Sequence, residues 1–150
     1  MSWDVKVAYL KNMQGYLWKR GYANGLVCTL FPDVPTAMKL WSSHSIKTII
    51  YSSGSIAAQK DLFEHTDQGD LRGLIEDYFD TTNAGLKQEK GSYEKIWEKH
   101  KGLGEKKNWL FLTDRVVEVR AAREAGLLSW WVFYIACMDC YISAFPIGFF

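Results

Sequence analysis

The chain is poor in cysteine. Cys28, Cys137 and Cys140 are its only three, an odd and widely spaced set that excludes a disulfide framework and suits a reducing compartment. It also lacks an excess of charge. Eighteen Lys and Arg stand against 17 Asp and Glu, a net charge of +1, without the basic footprint of a nucleic-acid binder. Its three histidines, His44, His65 and His100, are scattered through polar stretches. They are expected on the surface, and nothing groups them as metal ligands. The first eleven residues are polar and mixed in charge, so no signal peptide is expected. There is no internal repeat and no low-complexity tract. One absence is local: no Lys or Arg follows Arg123, and Asp139 is the only charged side chain between Leu127 and Phe150. Body and tail therefore need separate readings.

At 150 residues the chain suits one domain, or the larger part of one. Val7, Leu10, Gln14, Leu17 and Trp18 recur at spacings of three and four, which predicts a helix over 6–22. Pro32-Asp33-Val34-Pro35 punctuates the chain, with Asp33 as the expected N-cap of the next helix. After a polar break at 42–45, Lys47-Thr48-Ile49-Ile50-Tyr51 is rich in β-branched and aromatic residues and reads as a buried strand. It stops at Ser52-Ser53-Gly54, and Ser55 is placed to cap a helix over 56–63. Leu71, Leu74 and Ile75 suggest a short helix, Tyr78-Phe79-Asp80 a brief strand, and Asn83-Ala84-Gly85 a turn. Residues 87–101 read as a charged surface helix with Tyr93, Ile96 and Trp97 as its apolar seam. Asn108 to Thr113 is a second buried strand. Residues 116–125 form a helix closed by Gly126 at C′. Strands alternating with helices imply βαβ units and a parallel sheet with helices on both faces.

Strand, small polar loop, helix start is the order that places a loop at the carboxyl edge of a parallel sheet, where ligands bind. The hydroxyls of Ser52 and Ser53, and backbone N–H groups in a glycine turn, suit phosphate oxygens. The plainer alternative is a βα turn whose serines only cap. The second strand ends in Thr113-Asp114. If the two strands are neighbours, a carboxylate faces the hydroxyls, and Mg²⁺ takes one or two carboxylates plus phosphate oxygens. Asp114 as a helix N-cap is the alternative. Lys87, near a glycine turn between the strands, could neutralise phosphoryl charge; a solvated surface lysine is the alternative.

Ile50-Tyr51-Ser52-Ser53-Gly54-Ser55, with Ala58-Gln59-Lys60 and Leu62-Phe63, resembles the enolase-phosphatase (acireductone synthase) family of the haloacid-dehalogenase (HAD) superfamily. So do Phe79-Asp80-Thr81-Thr82, Lys87 with Ser92-Tyr93, Leu110-Phe111-Leu112-Thr113-Asp114 and Ala121-Ala122-Arg123-Glu124-Ala125-Gly126. Upstream, Gln14-Gly15, Leu17-Trp18 and Phe31-Pro32-Asp33-Val34-Pro35 are similar to the same family. The ordered set covers about residues 11–126. The resemblance implies an α/β fold: a HAD-like three-layer Rossmannoid core with a parallel sheet, incomplete at the N-terminus. It divides the chain into a helical remnant of a cap region at 1–30, the core at 31–126, and a divergent apolar tail at 127–150.

The implied activity is a Mg²⁺-dependent phosphohydrolase of L-methionine salvage, which enolises 2,3-diketo-5-methylthiopentyl-1-phosphate and removes its phosphate to give the acireductone. By the same resemblance Ser52 and Ser53 hold the phosphoryl group, Lys87 stabilises its charge and Asp114 binds Mg²⁺. Glu118, one turn on, would support that site or stand exposed on its helix. The implied partner is a phosphorylated small molecule, with no nucleic acid, and the implied location is cytoplasmic, with the nucleus as an alternative.

Two departures qualify this. The family's nucleophile lies in an Asp-x-Glu-Gly-Thr type motif on its first core strand, and the chain contains none. Asp4, with no apolar strand before it and no glycine after it, is not assigned that role. The expectation is a truncated protein of little or no activity, with an open gap in its sheet. The alternative is a non-catalytic paralogue that binds a phosphorylated ligand or a partner. Beyond Gly126, residues 127–136 could form a strand, but the family's Arg-Pro-Gly-Asn loop does not follow. The tail is about long enough to cross a bilayer. Asp139 within it, and the lack of a Lys or Arg on its C-terminal side, argue against a membrane anchor. Cys137-Met138-Asp139-Cys140 has redox or half-zinc spacing, but no second pair accompanies it.

Overall fold

In the computed structural model residues 8–132 and 147–149 are described. Asp4, Val7 and the Cys137–Cys140 pair lie outside them. Helix α1 spans Ala8–Ala23, α2 Asp33–Ser43, α3 Ile56–Glu64, α4 Lys90–Lys99 and α5 Val116–Glu124. The strands are β1 Thr48–Ser52, β2 Ile75–Phe79, β3 Leu110–Thr113, β4 Leu128–Trp131 and β5 Ile147–Phe149. They form one sheet in the order β2-β1-β5-β3-β4.

All five residues of β1 are buried, as expected of a strand with a helical layer on each face. Alternation sorts its side chains. Ile49 and Tyr51 join Phe79, Tyr93, Ile96, Trp109, Phe111, Ala121, Ala122 and Ala125 in one core, which brings α4 and α5 onto one face. Ile50 joins Tyr22, Met38, Leu62, Phe63 and Tyr78 in the other core, which brings α1, α2 and α3 onto the opposite face. Tyr93 seats its ring edge-on against Phe111, centroids 5.0 Å apart, and against Tyr51 at 5.7 Å. Each such contact adds about 0.5–1.5 kcal/mol beyond area burial.

The pairing β1–β2 is parallel, and so is β3–β4. Between the two pairs lies β5, antiparallel to both β1 and β3. This corrects two expectations: the serine strand and the aspartate strand are not neighbours, and the sheet has no open gap between them. A backbone slot between two strands leaves N–H and C=O groups unpaired, and the segment 147–149 from the tail satisfies them.

Several boundaries differ for local reasons. Pro32, not Asp33, stands at the N-cap of α2 without a side-chain cap bond; Asp33 sits in the first turn, where its charge favours the helix dipole. The polar break at 42–45 begins inside α2, whose last residue is Ser43. Strand β3 starts two residues later than expected because Lys106–Asn108 forms a 3₁₀ turn, Asn108 donating to the Glu105 carbonyl at 2.8 Å. Leu71 stands at the N-cap of a 3₁₀ turn at Arg72–Leu74, which Leu74 closes, and Ile75 opens β2. His65 stacks on Tyr22 with centroids 4.8 Å apart, and the half-buried His100 meets Asp77 at 2.7 Å, so neither is the free surface histidine the sequence suggested. Among the described residues no helix is long and apolar enough to cross a membrane.

Candidate functional site

Strands β1 and β3, each antiparallel to β5, run in the same direction, so their carboxyl ends share one sheet edge. Their level follows from register. Phe149 pairs with Ile50 on one side and with Leu112 on the other. Two residues beyond Ile50 is Ser52, and two beyond Leu112 is Asp114. They are level with one another across a single intervening strand, about 10 Å apart at strand spacing.

The serine loop is built by local rules. Ser55 caps α3, its hydroxyl accepting from the Ala58 N–H at 3.3 Å. Ser52, 1 % exposed, accepts the Gly54 N–H on Oγ at 3.1 Å. A hydroxyl that accepts from the backbone keeps its own proton to donate. Ser53 is half-buried beside it. Asp80, at the end of β2, ties the loop to its neighbour: Oδ2 accepts the Ile56 N–H at 3.2 Å and Oδ1 accepts Thr82 N–H at 2.8 Å. Gln59 adds a second tie, its Nε2 donating to the Gly54 carbonyl and to the Phe79 carbonyl, both at 2.9 Å.

Asp114 is exposed, and α5 begins only at Val116 with Arg115 at its N-cap. The capping alternative therefore does not describe Asp114. Its backbone carbonyl accepts from the Trp131 indole at 2.9 Å, which fastens this turn to β4.

Lys87 overturns the surface-lysine alternative. It is 3 % exposed, with Nζ 2.8 Å from Glu118 Oε2, and Glu118 is fully buried. The same Glu118 oxygen accepts from Thr113 Oγ1 at 2.7 Å. Glu118 is thus no exposed helix carboxylate. Burial holds the Lys87 ammonium below its usual pKa, and the adjacent Glu118 carboxylate opposes that shift. The backbone around Lys87 is pinned as well. Tyr93 donates to the Lys87 carbonyl at 2.6 Å, and Tyr51 to the Gly85 carbonyl at 2.8 Å. Burial pushes the Tyr51 hydroxyl up to about 12, so it stays a donor at neutral pH. Gly85 has φ +119°, and a Cβ there would stand 2.6 Å from Ser92 Oγ. Only glycine fits that turn.

The sequence reading missed the role of Gln59 and left Glu118 open between site support and an exposed helix position, and one signal bears on both. Gln59 falls in a stripe with Leu62 and Phe63 on α3, and Glu118 in a stripe with Ala121, Ala122 and Ala125 on α5. A polar side chain on the buried stripe of an amphipathic helix has a partner to satisfy.

Hard oxygen donors are what Mg²⁺ requires. Asp114 offers an exposed carboxylate, and Glu118 Oε1 one turn on is buried with no hydrogen-bond partner and with the Arg115 guanidinium 3.8 Å away. Among the described residues no three acidic, His or Cys side chains converge to hold a metal by themselves. That is compatible with a cation that shares its shell with phosphate oxygens and water.

A doubly covered α/β sheet with a hydroxyl loop on one strand and a carboxylate level with it, across one antiparallel strand, defines a Rossmannoid α/β protein with a ligand edge. No family model matches the chain, but individual proteins do. It is 55 % identical over 141 residues to enolase-phosphatase E1 of Sclerotinia sclerotiorum, covering 86 % of this chain and 56 % of that protein. It is 52 % identical over 143 residues to enolase-phosphatase E1 of Botryotinia fuckeliana, with the same coverage. Among solved structures, the UTR4 protein of Saccharomyces cerevisiae superposes with a TM-score of 0.72 at 33 % identity, over 85 % of this chain and 58 % of that one. Over the matched residues the chain is similar in sequence to the enolase-phosphatases and has the HAD-like fold of the solved neighbour. It spans a little over half the length of these relatives.

Proposed function

We propose that this chain carries the phosphoryl-binding half of a Mg²⁺-dependent enolase-phosphatase site. The observation that carries the reading is the shared edge, with Ser52 and Asp114 level and one strand between them. The Ser52 and Ser53 hydroxyls donate to the oxygens of a phosphorylated small molecule. Lys87 supplies positive charge, held in place by Glu118 and Thr113. Asp114, with Glu118 behind it, would hold Mg²⁺, which when bound neutralises charge on the phosphate. The substrate class is a phosphorylated diketone of the methionine-salvage type, which the family's proteins enolise and dephosphorylate. Cytoplasmic location, with the nucleus as an alternative, belongs to the same reading.

The 150 residues contain no Asp-x-Glu-Gly-Thr motif, so by themselves they are expected to bind phosphate with little or no turnover. Titration of inorganic phosphate into the protein, with and without Mg²⁺, tests this beside an assay of phosphate release from the diketone phosphate. The expected result is binding that strengthens with Mg²⁺, loses that dependence in Asp114→Ala and weakens in Ser52→Ala. Phosphate affinity untouched by Mg²⁺ and by both substitutions would remove the basis for the reading.

A further inference from the structure

We infer that Gln59 is a positioning residue for the anion site: it holds the Gly54–Ser55 peptide so that the Ser55 N–H faces the phosphoryl group. The inference rests on the proposed phosphate site and extends it to a residue that touches no substrate. Gln59 is 4 % exposed on the inner side of α3. Its Nε2 bridges two carbonyls, Gly54 on the serine loop and Phe79 at the end of β2, each at 2.9 Å. Both amide protons are thereby used, while Oε1 is buried without a partner. An interior amide with an unsatisfied oxygen is costly to keep, and its two donor bonds fix one feature: the Gly54 carbonyl is drawn to the β2 side of β1.

Across a planar trans peptide, C=O and the next N–H point in opposite directions. With the Gly54 carbonyl held toward β2, the Ser55 N–H points toward β5 and β3, the side on which Asp114 lies level with Ser52. If the peptide turned over, a carbonyl oxygen would face the anion and repel it. Asp80 fixes the next N–H, that of Ile56, by accepting it at 3.2 Å. The two side chains so divide the loop: Asp80 consumes one backbone donor, and Gln59 aims its neighbour outward.

Two substitutions separate aiming from mere support. Gln59→Leu keeps the shape and donates nothing. Gln59→Glu donates nothing when ionised, and one hydrogen bond when protonated. Inorganic sulfate is the probe, because its charge is constant between pH 5 and 8. Sulfate affinity and thermal stability of the full chain are measured at both ends of that range, each variant against the unsubstituted protein at the same pH. Ser129→Ala serves as the control, since it deletes a buried hydrogen bond, Oγ to the Val119 carbonyl at 2.9 Å, away from the loop. The expected result is sulfate binding about tenfold weaker in Gln59→Leu at both pH values, the loss of one charge-assisted hydrogen bond. Gln59→Glu is weakened at pH 8 and recovers at pH 5, while Ser129→Ala loses stability and keeps its affinity. Gln59 variants that melt earlier but bind sulfate as tightly as the unsubstituted protein would overturn the inference alone. A protein that binds no sulfate, with Ser52→Ala indistinguishable from it, would overturn the phosphate-site reading and the inference together.

Discussion

Lys87 and Glu118 show how far a single residue's environment departs from its type. A fully buried carboxylate and an ammonium 2.8 Å away must stay paired, because removing either takes away the charge that offsets the other's loss of water. Glu118→Ala is therefore expected to cost about 3–5 kcal/mol, a large share of a typical domain's stability. The double replacement Lys87→Met with Glu118→Leu should cost less than Glu118→Ala alone, since no lone charge remains. Chemical denaturation of the three proteins checks the order; a double variant less stable than Glu118→Ala would contradict it. What the sequence made legible at this scale was whatever local rules decide. The Ser55 cap and the Gly126 terminator follow from residue type and immediate neighbours, and both are where expected, Gly126 with φ +91°. The Lys87–Glu118 pair joins residues 31 apart in the chain, and no local spacing encodes it.

At the scale of elements, β2 is anchored to α4 through Asp77, whose Oδ2 receives Lys99 Nζ and His100 Nε2, both at 2.7 Å. Burial alone would raise the Asp77 pKa; the Lys99 and His100 hydrogen bonds outweigh it, and the carboxyl lies below its ordinary value. The sign follows from linkage. A carboxyl depressed in the folded protein contributes stability above its unfolded pKa near 4, and that contribution is lost as pH falls through the folded value. Asp77→Asn should thus lower the melting temperature by a few degrees at pH 7 and make little difference near pH 2. An equal effect at both pH values would show that packing, not charge, is what Asp77 provides. Helix and strand positions were largely readable because period and propensity are local. Strand order was not, since which strands pair is settled by contacts across the whole chain. The same limit hid the role of Ile147–Phe149: three apolar residues carry no sign of the slot they will fill.

The whole molecule is a sheet with two halves, each parallel within itself, joined by an antiparallel strand from the chain's other end. That strand spaces the serine loop and Asp114 while keeping them level, so the candidate site depends on the complete sheet rather than on any one motif. Register made this visible, and no reading of motifs alone could, because the central position was expected to stand open. The central claim is that the ends of β1 and β3 line one cation and phosphate pocket. Manganese, which replaces Mg²⁺ and broadens nearby amide resonances, tests it most directly. In the presence of phosphate, substoichiometric Mn²⁺ should broaden the amides of residues 52–55 and 113–115 together, and excess Mg²⁺ should restore both sets. Broadening of only one set, or of neither, would contradict a shared pocket.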